Sequence, residues 1–162
     1  MAGILEQEIL ENDTLGNRFL TFQLDKEVYG IEIRYVTEII GTQAITEVPE
    51  MPGYIRGIIN LRGKIIPVMD VRLRFKKKFK EYNDRTCVIV VNVDDLSLGL
   101  IVDSVSEVVA IPGTEIAEPP EMGKDGDKYI MGIGKNGNEV KLLLDCDKLL
   151  KYKEQEIFEA TR

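Results

Sequence analysis

A mainly β fold with short helical turns, arranged as two small β-barrels packed together, is what this 162-residue sequence predicts. Three observations carry that expectation. Apolar residues fall mostly in short runs with strand alternation. Gly, Asn and Asp punctuate those runs where a two-stranded hairpin must reverse. The pattern also occurs twice. Gly30-Ile31-Glu32-Ile33-Arg34-Tyr35-Val36-Thr37-Glu38-Ile39 matches Gly99-Leu100-Ile101-Val102-Asp103-Ser104-Val105-Ser106-Glu107-Val108 at a constant separation of 69, which Asp25 and Asp94 share. Tyr54-Ile55-Arg56-Gly57-Ile58 matches Tyr129-Ile130-Met131-Gly132-Ile133 at 75, as Asp70 matches Asp145. Two copies of one β unit, each of about 60 residues, follow. The approximate halves are 18–80 and 85–150 within a single domain over 18–162. Packed together, two small barrels bury more surface than either does alone. The pattern leaves open whether strands are exchanged between the copies.

Residues 1–17 are acidic and loop-like, and read as a tail with at most one helical turn through Ile4, Leu5, Ile9 and Leu10. From Phe19 the pattern changes: Leu20, Phe22 and Leu24 alternate, Asp25-Lys26-Glu27 turns, and Val28 to Ile33 continues as a strand. Val36, Ile39 and Ile40 take helical spacing in a short segment that Gly41 ends. Ile45 to Val48 reads as another strand, punctuated by Pro49 and Pro52, and Gly53 to Arg56 as a helical turn. Helical or irregular chain from Val71 to Lys80 leads to a connector, Glu81-Tyr82-Asn83-Asp84. Cys87 to Val93 is a β-branched run, Asp94-Asp95 turns, Leu98 to Val102 returns, and Val105 with Val108 recovers helix-like spacing. After breaks at Pro112-Gly113 and Pro119-Pro120, a polar loop over 124–127 precedes strand Tyr129 to Ile133. Asn136-Gly137 then marks a hairpin into Val140 to Leu144, and a helix over 146–162 closes the chain.

The stretch Gly57 to Val71 is the densest in signals. Apolar runs Ile58 to Leu61 and Ile65 to Met69 flank Arg62-Gly63-Lys64, a hairpin whose Gly63 supplies positive φ. Alternation places Asn60 and Arg62 on one face. Pro67, lacking an N–H, predicts an edge strand or a bulge. An open edge beside a projecting arginine suits a protein partner.

The formal net charge of −7 opposes a nucleic-acid or anionic-membrane binder, which needs a positive field. Lys76-Lys77-Lys78 with Lys80 reads as a solvated connector. No run approaches the ~20 apolar residues of a membrane span and the N-terminus lacks a basic region, so a soluble cytoplasmic protein without membrane insertion is expected. Histidine is absent, which removes the Ser-His triad, every His-containing metal site and the commonest general acid or base. Cys87 and Cys146 lie 59 positions apart in apolar contexts and read as buried structural thiols. Asp125-Gly126-Asp127 lacks EF-hand spacing, and Gly132-Ile133-Gly134 is followed by a hairpin rather than the helix of a phosphate loop. No catalytic residue, cofactor or metal is expected. Val36 with Ile39, and Val105 with Val108, are most simply core residues; as equivalent ridges in both copies they also suit the walls of a shared groove.

Phe22-x-Leu24-Asp25, Tyr29-Gly30-Ile31-x-Ile33, Val36-x-Glu38-Ile39, Tyr54-Ile55-Arg56-Gly57, Asn60-Leu61-Arg62-Gly63, Pro67-Val68-x-Asp70 and Val102-Asp103-x-Val105-Ser106-Glu107-Val108 occur here in a family-like order and spacing. From about Phe19 to Leu150 the chain thereby resembles the CheW family of bacterial chemotaxis coupling proteins. The resemblance implies two five-stranded barrels of the Src-homology-3-like or OB-like kind, no catalysis, and a scaffold that couples membrane chemoreceptors to the histidine kinase CheA, whose regulatory domain is itself CheW-like. The length suits a stand-alone coupling protein, without the kinase regions of CheA or the receiver domain of CheV. By matching motif, Glu38, Arg56, Gly57, Asn60, Arg62 and Gly63 belong to the family's functional surface. The groove of Val36, Ile39, Val105 and Val108 would take a receptor's helical tip, leaving the hairpin and barrel ends to the kinase. Glu38 is expected to hold Arg62. Asn136 is read as the counterpart of Arg62, so only the first copy should carry the pair. The alternatives are the same fold in another array, such as surface motility, and a small β-barrel nucleic-acid binder, which the acidic charge opposes. The pattern leaves self-association open.

Overall fold

The computed structural model describes residues 17–120 and 129–150, apart from the Asn136 side chain. The tail before residue 17, the polar loop over 124–127 and the last helix beyond 150 lie outside these residues. Eleven strands follow in order: β1 (Arg18–Leu24), β2 (Glu27–Glu32), β3 (Val36–Gly41), β4 (Ile55–Leu61), β5 (Lys64–Asp70), β6 (Cys87–Val93), β7 (Leu96–Val102), β8 (Ser104–Ala110), β9 (Ile116–Ala117), β10 (Ile130–Asn136) and β11 (Glu139–Leu144). A one-turn helix, α1 (Val71–Arg74), follows β5, and helical chain over 146–150 follows β11.

Two mixed sheets result. The six-stranded one runs β8-β1-β2-β11-β10-β9 and the five-stranded one β3-β6-β7-β5-β4. Each draws on both copies of the repeat: β1 and β2 leave the first copy to join β8–β11, while β6 and β7 leave the second to join β3–β5. Exchange is therefore how the repeat is built. Two parallel contacts seal it, Tyr29 opposite Leu142 and Leu100 opposite Met69. After β3 the chain pairs Thr46 with Ile58 of β4, and after β8 it forms β9 against β10, so both sheets close in the same way.

Alternation along the strands explains the core. On β6, Val88 and Val90 turn into the five-stranded barrel with Ile59, Ile66, Val68 and Ile101, while Ile89, Val91 and Val93 turn the other way. On β1, Phe19 enters the six-stranded barrel with Ile111 and Leu143. Leu20, Phe22 and Leu24 join Ile89, Val91, Leu100, Val102 and Met69 in one large cluster shared by both sheets. The continuous apolar character of β6 thus reflects burial on two faces.

Several local readings are corrected. The segments at Val36–Ile40 and Val105–Val108 are strands, not helices. Val36 and Ile39 oppose Val91 and Ile89, and Val105 and Val108 oppose Phe22 and Leu20; each strand carries a bulge that turns a two-residue repeat into three. Thr21, fully buried, fills the β8 bulge: its Oγ1 donates to Glu107 O at 2.7 Å and accepts from Glu107 N–H at 3.1 Å. Ile45 to Val48 makes a single bridge at Thr46. Pro67 lies on β5, an interior strand. Ile58, its neighbour on β4, directs its N–H and C=O to Thr46, so Pro67 N points away from β4, where the parallel ladder to β7 begins only at Val68. Its missing donor leaves no gap.

Cys87 is half-buried on β6, whereas Cys146, at the start of the last helix, is 1% exposed. Burial, with Glu32 and Asp145 nearby, pushes the Cys146 thiol up to about 12. Burial and hydrogen bonds to Glu27 and Asp70 likewise push the Tyr29 and Tyr82 hydroxyls up. Groups with raised folded values contribute stability that is complete below their unfolded pKa and fades as pH rises through the folded one. Thermal stability should therefore start to decline above pH ~8.5, the unfolded thiol value. A thiol reagent at pH 8 should modify Cys87 far faster than Cys146; equal rates in the native protein would contradict this packing.

Candidate protein-docking site

Leu61 pairs with Lys64, leaving Arg62 and Gly63 as a two-residue turn with φ of +52° and +86°. Positive φ at both positions is type I′ geometry, which matches the twist of the flanking strands and favours Asn or Gly at the first position. Arginine there is held in a left-handed conformation that its Cβ disfavours. Asn60 Oδ1 braces the turn by accepting from Gly63 N–H at 2.8 Å. Arg62 thus projects from the turn itself and not from a strand face, its side chain 71% exposed.

Its guanidinium donates to Glu38 Oε2. Glu38 sits just past the bulge on β3 and not at a helix end. Since β3 and β4 are the two edges of the five-stranded sheet, the pair spans the seam that the Thr46–Ile58 bridge also closes, with both N–H···O distances there 2.9 Å. Exposed ion pairs add little to stability. The pair's effect is to aim an arginine outward at a fixed place.

Gly137, and not Asn136, is the counterpart of Arg62. Asn136 pairs with Glu139 as Leu61 pairs with Lys64, so the separation of 75 persists through both hairpins. Gly137, with φ +64°, stands where Arg62 stands. Without a side chain it forms no pair, so the asymmetry between copies is real but comes from glycine.

Gly57 has a backbone role. It follows the bulge on β4 at φ +145°, and a Cβ there would lie 2.1 Å from Thr46 O. Only glycine lets the Thr46 segment close the barrel. Arg56, the bulged residue, lies over the Phe79 ring at 5.1 Å. The structure therefore gathers Glu38, Asn60, Arg62 and Gly63 at the hairpin tip, while Arg56 faces the connector. Val36, Ile39, Val105 and Val108 are all half-buried and pack on the shared cluster, none fully inside a barrel of its own.

Sequence reasoning missed the two arginines of α1. Arg72, 8% exposed, donates from Nη1 to Asp25 Oδ1 at 2.6 Å and Asp103 Oδ2 at 2.8 Å, and from Nε to Lys78 O at 3.0 Å. Its hydrogen bond holds the Asp25 carboxyl below the ordinary range. The available signal was Arg72 and Arg74 alternating with Val71 and Leu73 directly after the helix-capping Asp70.

Two β-sheets around a common core, with an exposed arginine tied to Glu38 and half-buried apolar ridges, make a two-barrel β domain with a candidate docking surface. The comparisons place it. A family model described as the CheW-like domain matches residues 18–154. The chemotaxis protein CheW of Klebsiella aerogenes is 37% identical over 95% of this chain and 93% of that protein. CheW of Bacillus subtilis is 34% identical over 83% and 87% respectively. The crystal structure of the scaffolding protein TtCheW from Thermoanaerobacter tengcongensis superposes with a TM-score of 0.75 at 36% identity, covering 80% of this chain and 88% of that one. The chain belongs to the CheW family, and is a non-catalytic scaffold of chemotaxis signal transduction. Among the described residues no helix is long and apolar enough to cross a membrane.

Proposed function

We propose that this scaffold works in the cytoplasm, recruited to the inner face of the membrane by chemoreceptors, and couples them to the histidine kinase CheA by binding both. The observation that carries the reading is Arg62, kept in a disfavoured backbone conformation and tied to Glu38 although a glycine occupies the same turn position in the second copy. A non-glycine residue retained in such a conformation points to use. The hairpin tip, with Glu38, Asn60, Arg62 and Gly63, serves the kinase's regulatory domain. The half-buried ridges of Val36, Ile39, Val105 and Val108 at the shared core serve a helical receptor tip, which an apolar groove captures through anchors at i, i+3 or i+4.

The test is co-precipitation with CheA and a receptor cytoplasmic fragment, followed by a kinase assay in which this chain must make CheA activity receptor-dependent. Failure to bind either partner would end the proposal. Arg62→Gly separates function from folding. It relieves the backbone conformation, so the melting temperature should hold or rise by roughly 2–4 °C, while CheA binding falls. Unchanged CheA binding would remove Arg62 from the surface.

A further inference from the structure

The helix α1 continues β5 of the five-stranded sheet, yet side chains on it and just after it reach across to the other sheet. Arg72 reaches Asp25 in the turn between β1 and β2. Phe75 stacks on Tyr29 of β2 and lies tilted against Tyr129 ahead of β10, with ring centroids 5.6 and 5.8 Å away. Arg74, 9% exposed, lies between two rings: its Cζ is 4.6 Å from the Tyr54 centroid and 4.5 Å from that of Tyr129.

Those two tyrosines are the same residue of the two copies, 75 positions apart. Tyr54 leads into β4 and Tyr129 into β10, one in each barrel. The backbone oxygen of each accepts from the equivalent aspartate N–H, Asp70 or Asp145, at 2.7 Å in both cases. A single guanidinium thus has one equivalent ring of each barrel beside it. Its own counterpart, 75 positions on, is Leu149, fully buried, so the second copy supplies no such cation.

We propose that Arg74 is a positioning residue that sets the angle between the two barrels, and through it the geometry in which two partners are held at once; the second part rests on the coupling function proposed above. Apolar burial, which supplies most of the contact here, is non-directional and tolerates sliding. A planar cation between two aromatic faces has one favourable arrangement, which a lysine ammonium does not reproduce.

The test has two arms. In the first, the chain alone carries Cys87→Ser with spin labels at Leu96→Cys on β7 and Val140→Cys on β11, exposed strand positions of different barrels, while Cys146 stays shielded by burial. Pulsed dipolar spectroscopy should give one narrow distance for the parent. Arg74→Gln and Arg74→Lys should broaden it about twofold while circular dichroism remains native. In the second arm, the unlabelled variants should bind CheA alone and the receptor fragment alone within about twofold of wild type, but lose roughly tenfold in receptor-dependent kinase activation. A parent-like distance in Arg74→Lys overturns the proposal, since charge alone would then suffice, as does native coupling in either folded variant. If Arg74→Gln does not fold, Arg74→Lys decides; if neither folds, Arg74 is a core strut and the proposal fails. Wild-type protein that does not couple receptor to kinase sinks the functional reading, while the distances still decide the role of Arg74 in the barrel angle.

Discussion

Gly57→Ala is expected to cost about 3–5 kcal/mol, enough to unfold much of the protein at physiological temperature. Two effects combine. A backbone φ of +145° is essentially closed to alanine, and the new Cβ would sit 2.1 Å from Thr46 O and 2.9 Å from Ile45 Cγ2. The obstacle is backbone, which cannot rotate aside, and moving it breaks the Thr46–Ile58 pair that closes the five-stranded barrel. Gly63→Ala is the control. That glycine also has positive φ, +86°, but nothing lies within 4 Å of its would-be Cβ, so only the conformational cost of about 1 kcal/mol should appear. Urea unfolding of both variants measures the difference. Equal midpoints would show that the bulge at β4 rearranges freely and that the seam is not a tight closure.

Val108→Glu should abolish receptor capture, by roughly 30-fold or more, while CheA binding stays near wild type. Val108 is half-buried at the perimeter of the shared cluster, so the carboxylate can reach water while spoiling the apolar wall a helix would need. Were Val108 simply core, an unpaired buried charge would cost several kcal/mol and both binding activities would fall with the fold. The melting temperature therefore decides between the two. A drop large enough to unfold the variant, with both partners lost together, would refute the groove.

What was legible in the sequence was local. Cys87 to Val93 forms β6 with the ends its β-branched run suggests, because hydrophobicity on both faces and Asp94-Asp95, both at positive φ, bound it. The contact of Glu38 with Arg62 was anticipated only through the family resemblance, since nothing in the hairpin itself points to a carboxylate 24 positions earlier. Strands joined by short turns, such as β4 with β5 and β6 with β7, follow from turn chemistry. The pairings of β2 with β11 and β5 with β7 do not, since each joins residues remote in sequence and leaves no mark in either segment. The helical reading of β3 and β8 failed for a definite reason: a bulge puts residues i and i+3 on one face, so Val36 with Ile39 and Val105 with Val108 mimic helical spacing. Repetition of that spacing in both copies reflects a bulge that each of them carries. Arg72 and Arg74 escaped because a charged pair in a short basic stretch reads as solvent-facing until the topology brings Asp25, Tyr54 and Tyr129 around it.

The exchange of strands between the copies also governs how the chain can be born. All five strands of one sheet have left the ribosome once residue 102 is clear, whereas the other waits for β11, with β1 and β2 made first and held longest without their later neighbours. During that interval the β2 edge is an open template, the kind of surface that recruits wrong partners. A nick in the connector between α1 and β6 would not release two working barrels, because each fragment lacks strands that the other owns. The two pieces should instead find each other and rebuild one domain, and a gene encoding only one copy would have to assemble as a dimer with its strands traded across the interface.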